Sequence, residues 1–327
     1  MGGRGAKGLA VAAAALAFVL AAGVRAHASQ SKGAGSLEVV NVMPAFWEFW
    51  ERSRDADEAT KVRLFRELVI EPRRPVFDGF TGPHGDEEIA LYLKKVRPLL
   101  PRMRALGDNF LADFEKHRRS FGAAFPDVRW DVTVCFMPNF GVTDAGTGVI
   151  DGKSYLVFGI DTIAAQQGDG ANLATLFHHE LFHVYHAQRH PEWRAKSRSK
   201  GEVPLYWLLW SEGLATYVSQ TLNPQATPEQ VLLSKTLERE AAPLLPALAK
   251  DLRENLTSTS TAYLFDYLSS SPRRKEIPPR AGYYVGLLVA RELARARKPA
   301  GLARLGGEEL LREMREALLA IEKRGKA

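Results

Sequence analysis

The chain has 327 residues, 46% of them hydrophobic and 25% charged, so it can bury a sizeable core and is neither disordered nor fibrous in composition. Its formal charge is +6, but Arg4, Lys7 and Arg25 lie in the first 28 residues, which hold no acid, and without those three the balance is +3. That excess is too small and too dispersed to indicate nucleic acid, and the single cysteine, Cys135, excludes an intrachain disulfide.

Residues 1–28 read as a secretory signal peptide. Arg4 and Lys7 form a charged start, Leu9 to Val24 is an apolar run, and "AHA" at 26–28 places cleavage before Ser29. The run is too short and alanine-rich to span a bilayer comfortably, and no later segment is apolar enough to do so. The protein is therefore expected to be exported, to the periplasm or beyond, with an uncleaved anchor as the alternative. "SQSKGAGS" opens a flexible linker expected over 29–41, and 42–125 reads as a helical N-terminal region. In "PAFWEFWERS", Phe46, Trp47 and Trp50 suit one apolar helix face. "DEATKVRLFRELV" has the acidic start of a helix, "EPRRPVFDGFTGPHG" (71–85) reads as loop, and the pattern is helical again from Asp86 to Phe125.

The texture then changes. "RWDVTVCFMP" (129–138) predicts a strand with Cys135 as a small buried residue, and "GTGVIDGKSYLVFGI" (146–160) a hairpin turning at Asp151-Gly152. From about Ala171 the chain returns to helix, broken at 190–203 and 271–280. The basic cluster "RAKSRSKGE" (194–202) in the first break reads as solvated loop. No internal repeat is present. The fold class expected is α+β, predominantly helical, with a small antiparallel sheet and one functional helix inside a domain spanning 126–327.

That helix is "LFHHELFHVYH" (176–186). Five of the eight histidines fall between 178 and 190. His179-Glu180-Leu181-Phe182-His183 is the H-E-x-x-H pattern. On a helix, positions i and i+4 stand one above the other, so two imidazoles reach one ion. Glu180 flanks that face without occupying a ligand position, where a general base must stand. His178 points about 100° away from His179, and His186 lies roughly 10 Å along the axis from it, too far to share one zinc ion. His178, His186 and His190 therefore read as supporting or surface residues.

Catalytic zinc takes three protein ligands and one open position. The downstream acids are Glu192, Glu202 and Glu212. Glu202 sits in polar "SKGEVP", with no helix to fix it. Glu212 lies in apolar "LYWLLWSEGLATYVSQ" (205–220), where a lone acid is costly without a partner and a cation is the natural one. Glu212 is thus the expected third ligand, although Ser211-Glu212 could instead start a helix. Gly213 would let this helix approach the histidine helix closely, and Thr216 could hydrogen-bond the ligand.

"HELFH" followed by "WSEGLATYVS" resembles the gluzincin metallopeptidases, in which a glutamate on a following helix, commonly within E-G-x-A-x-Y, joins the histidine pair. The helical N-terminal part, the hairpin and "PPRAGYYVGLLVA" are similar to an uncharacterised family of predicted bacterial zinc-dependent proteases. The resemblance is specific over about 150–220. It implies a zincin-like catalytic domain with one zinc ion on His179, His183 and Glu212, and Glu180 as base. The interval from His183 to Glu212 is longer than in the best-known gluzincins. No counterpart of the aminopeptidase glycine–alanine–methionine–glutamate–asparagine signature is present, which argues against an aminopeptidase. Tyr283 or Tyr284 in "AGYYVG" is the candidate donor to a developing oxyanion, with Tyr217 as a further alternative. The function expected is an exported zinc metallopeptidase acting on a peptide or protein substrate. The alternatives are a non-catalytic metal- or partner-binding protein of the cell envelope and a zinc hydrolase of non-peptide substrates.

Overall fold

The computed structural model describes residues 37–166, 173–193 and 203–324. The expected signal peptide, the linker up to residue 36 and Glu202 lie outside the described residues. Strand β1 (Glu38–Asn41) occupies the end of the stretch expected as linker. Its Val39 and Val40 suit a strand, and it pairs with β2 (Thr133–Met137) in the register Val39 to Val134.

Between those strands run α1 (Met43–Arg52), α2 (Glu58–Phe65), α3 (Arg74–Phe80), α4 (Asp86–Val96) and α5 (Leu100–Ala124). A tight helical turn (Glu71–Arg73) and helix α3 replace the first ten residues of the loop expected over 71–85, and 81–85 is loop as expected. Pro75 sits in its first turn, where the missing N–H has no helical partner to lose. Gly79 is a packing residue rather than a turn residue, since a Cβ there would lie 2.6 Å from Ile150 Cδ1.

The hairpin of β3 (Ala145–Ile150) and β4 (Lys153–Gly159) forms as expected. Asp151 (φ 47°) and Gly152 (φ 79°) supply the two positive φ values of its turn. The strand order is β1-β2-β4-β3, with β1, β2 and β4 parallel and β3 antiparallel at the edge. The sheet is therefore mixed rather than antiparallel. The cause is connectivity: the β1-to-β2 link is a long helical crossover, which suits parallel neighbours, and only β3 and β4 are joined by a tight turn.

Helix α6 (Ile160–Gln166) follows directly, then α7 (Leu173–Arg189), α8 (Leu205–Leu222), α9 (Pro228–Val231), α10 (Leu237–Ala241), α11 (Leu245–Glu254), α12 (Thr261–Leu268), α13 (Ala281–Leu293), α14 (Pro299–Leu302) and α15 (Gly307–Arg324). Phe110 and Phe114 of α5 pack edge-on against Phe136 and Phe158 of the sheet and Phe177 of α7, with centroids 5.0–5.9 Å apart. These rings fix α7 over the sheet. Helix α7 is buried on nearly every side, so its polar residues lie in the interior. Helix α8 packs between α7 and α13. Its Ser219 hydroxyl donates to the Thr175 carbonyl of α7 at 2.7 Å. Its first two amides, Leu205 and Tyr206, donate to the carbonyls of Ser258 and Leu256 at 2.8 Å each. No helix among the described residues is long and apolar enough to cross a membrane.

Candidate metal centre

His179 and His183 stand one turn apart on α7, and their Nε2 atoms are 3.0 Å apart. Glu212 projects from α8 so that Oε2 lies 3.2 Å from His179 Nε2 and 3.4 Å from His183 Nε2. Three ligands about 2.0–2.2 Å from one tetrahedral ion stand roughly 3.2–3.6 Å from one another, so this triangle is close to what such an ion requires. The ligand atoms of His179, Glu180 and His183 also lie within 4.8 Å of one another. Glu212 is the closer carboxylate to both imidazoles, so it closes the triangle and Glu180 flanks it.

The imidazoles converge through Nε2, so a cation bound there would leave Nδ1 to carry each proton. His183 Nδ1 faces the Ser211 hydroxyl at 3.4 Å, whereas buried His179 Nδ1 has no partner. Burial raises the Glu212 carboxyl, but the His183 charge and hydrogen bonds from both imidazoles outweigh it and hold the group well below the usual carboxylate range. Burial likewise opposes charge on His183, and Glu212 and Glu180 overcome it, lifting the imidazole to about 9. Glu180 is pushed up to about 8 by burial, against the pull of His183 and with the help of Asp144 and Glu212. Its Oε2 is buried without a partner. The cluster is thus a set of converging donors with unused capacity, the condition a cation relieves.

A cavity of about 340 Å³ opens on this cluster, lined by β3, His179, Glu180, His183, Glu212 and Tyr283. The Tyr283 ring stacks beside His179, with centroids 6.1 Å apart at 20°. Burial, then the neighbouring Glu212 carboxylate, keeps its hydroxyl protonated. Tyr284 points away towards Glu238 and Arg291, and neither it nor Tyr217 lines the cavity. Of the three tyrosines named from sequence, the structure brings Tyr283 alone to the cluster.

His178, His186 and His190 do not join the triangle. All three are buried rather than on the surface. His178 is held between Ser120 Oγ (2.9 Å) and the Asn223 amide (2.8 Å), and burial beside His117 lowers it to about 4. His186 stacks on Trp207 at 4.9 Å, and His190 bridges Glu192 and the Ala303 carbonyl. Two expectations about α8 are corrected. Ser211 and Glu212 stand in mid-helix, so the helix-start alternative falls, and Thr216 donates to the Glu212 carbonyl (2.8 Å) rather than to its carboxylate. Gly213 faces Gly286 of α13, not α7, because a Cβ on either glycine would run into the other residue's backbone. The close crossing it permits brings Tyr283 to Glu212.

Two residues of the cavity escaped the sequence reading. Asp144 enters β3 from the loop 138–144, which buried Asp161 pins by accepting from the amides of Asn139 (2.9 Å) and Gly141 (3.1 Å). Arg280 caps α13 with a left-handed backbone (φ 60°), and its guanidinium lies 4.1 Å over the Tyr283 ring. No periodicity marks either one; "PPR" ahead of "AGYYVG" was the sole local signal for Arg280. In comparisons with protein-family models, curated proteins and solved structures nothing matches this chain, so its site stands on geometry and chemistry alone.

Proposed function

We propose that the protein is an exported zinc-dependent metallopeptidase, with one ion held by His179, His183 and Glu212. The observation that carries this reading is the triangle of two Nε2 atoms and one Oε2 at 3.0–3.4 Å, with the Glu180 carboxylate, whose buried Oε2 has no partner, beside it on a cavity wall. Two nitrogens and one oxygen suit zinc, and a three-ligand set leaves a position open, as hydrolytic sites do and structural sites do not. When bound, the ion supplies Lewis acidity, which makes water nucleophilic near neutral pH and offsets charge on a carbonyl oxygen.

The chain's own groups do the rest. Glu180 takes the proton from the attacking water and delivers it to the leaving nitrogen. The pull of burial towards the protonated form suits that second task. The Tyr283 hydroxyl donates to the oxygen on which charge develops. Strand β3 has β4 on one side and no strand on the other among the described residues, so an extended peptide adds to its free edge along the cavity. A structural metal site needs no carboxylate at the position of Glu180, which favours turnover over binding alone. The test is metal analysis of purified protein with a peptide-library digest of wild type and Glu180→Gln. Zinc in both and cleavage by wild type only is the expected result. Zinc without cleavage in wild type refutes the peptidase, and full activity in the variant refutes the base.

A further inference from the structure

We propose that Arg280 binds a carboxylate of the substrate close to the scissile bond, so that the preferred substrates are peptides with a free C-terminus or an acidic side chain at that place. The inference rests on the peptidase reading for its scissile bond, but not for the carboxylate itself.

The guanidinium is charged at any working pH, and its carbon lies over the Tyr283 ring, 4.1 Å from the centroid. Tyr283 engages the group through its ring and its hydroxyl and leaves Nε over as a donor able to bind. That Nε is buried and donates to nothing. Burial opposes the charge, and Tyr283, Asp144 and Glu212 favour it, but no carboxylate of the described residues comes within ion-pairing distance of Arg280. Asp144 is engaged instead with the Ala145 amide at 2.9 Å. A planar fork held against Tyr283, with its buried Nε left unpartnered, matches the two oxygens of a carboxylate better than the single oxygen of an amide.

The place of that carboxylate follows from the stack. Arg280 covers Tyr283, and Tyr283 covers His179 at 6.1 Å, so the guanidinium carbon lies at most about 10 Å from the His179 ring. An extended chain advances about 3.3–3.6 Å per residue, so the group reached belongs within about two residues of the bond being cut. The backbone holds the side chain there. Its amide donates to the Ser269 carbonyl and its carbonyl accepts from the Tyr283 amide, both at 2.9 Å, around a φ that favours glycine.

The test uses binding, so that it does not depend on turnover. Two pairs of probes are titrated calorimetrically into the full chain, with and without zinc: N-acetyl-Ala-Ala and its C-terminal amide, and N-acetyl-Ala-Glu-amide and its Gln counterpart. Wild type is expected to bind the acid of at least one pair about tenfold or more tightly than the amide, as a charge-assisted hydrogen bond implies. The pair that discriminates identifies a terminal or a side-chain carboxylate. Arg280→Met should bring the ratio to about one, and Arg280→Lys should keep part of it, with melting curves confirming that both fold. Equal binding of acid and amide by wild type overturns the proposal. So does a full ratio in Arg280→Met, because the carboxylate then sits on another group. An Arg280-dependent ratio in a protein that cleaves no peptide upholds this inference and refutes the peptidase reading; cleavage with no such ratio does the reverse.

Discussion

Gly286→Ala separates a packing requirement from ordinary helix propensity. At an unconstrained helical position, glycine to alanine stabilises by about 0.5–1 kcal/mol. At Gly286 the new Cβ would lie 2.6 Å from the Leu209 carbonyl oxygen and 2.8 Å from Gly213 Cα. Ordinary Cβ contacts begin at 3.4 Å, so α8 and α13 must part by about 0.6–0.8 Å. Both obstacles are backbone and neither can swing aside. Overpacking costs about 1–3 kcal/mol, and a rigid backbone clash belongs at the upper end, which for a domain of this size lowers Tm by about 5 °C. Gly107→Ala in α5 is the control: nothing lies within 4 Å of its Cβ, and its Tm should rise. Tyr283 sits one turn before Gly286, so parting the helices also draws its hydroxyl away from Glu212, and peptide hydrolysis should fall with zinc affinity largely kept. Calorimetric melting of the three proteins decides. A Gly286→Ala protein that melts at or above wild type refutes the close crossing.

Glu212→Gln should weaken zinc binding by more than about 100-fold in a chelator competition, beyond the loss typical of an outer partner, while Thr216→Val, which touches only the main chain there, should leave it nearly unchanged. Tyr283→Phe should lower kcat by about 100-fold with KM little changed, whereas Tyr284→Phe should leave both as they are; the opposite pattern reassigns the oxyanion donor. Asp251 supplies a pH test away from the site. Burial raises its carboxyl, but Tyr267, Tyr263 and Arg274 outweigh this and hold it below its ordinary value of 3.8. A depressed carboxylate stabilises the fold fully above that ordinary value and loses the contribution as pH falls towards the folded one. The difference in urea stability between wild type and Asp251→Asn should therefore be constant from about pH 6 to 8 and shrink below about pH 4, and a difference that grows on acidification refutes the assignment.

What the sequence showed and what it hid follow from range. His179 and His183 are four positions apart on one helix, so their convergence is a property of α-helical geometry and was legible. Glu212 was legible for another reason: an acid in so apolar a helix demands a partner, and the partner had to be near. The hairpin was marked by Asp151-Gly152, a turn with a local conformational requirement. The mixed sheet was not marked, because parallel pairing of β1 with β2 depends on where a long helical crossover returns the chain. Proline and glycine misled at 71–80 because both residues also have places in helices, at the first turn and at a tight contact. Gly213 misled in the same way: that a close approach was needed could be read, but which helix would approach could not.

The placement of Asp144 shows what the N-terminal helices contribute. Tyr92 of α4 donates to Asp161 at 3.0 Å, and Asp161 holds the amides of Asn139 and Gly141 that begin the loop into β3. Phe140, forced to a positive φ of 61°, is clamped at the tip of that loop by His84, stacked at 3.7 Å, and by Tyr92 at 4.4 Å. A buried carboxylate that loses one of its donors is left expensively unsatisfied, so loop, α4 and α6 must move together or not at all. The wall that faces Glu180 is therefore fixed by helices that contribute no group to the triangle. Removing them would free β3 and Asp144 from the cavity rather than merely expose its back.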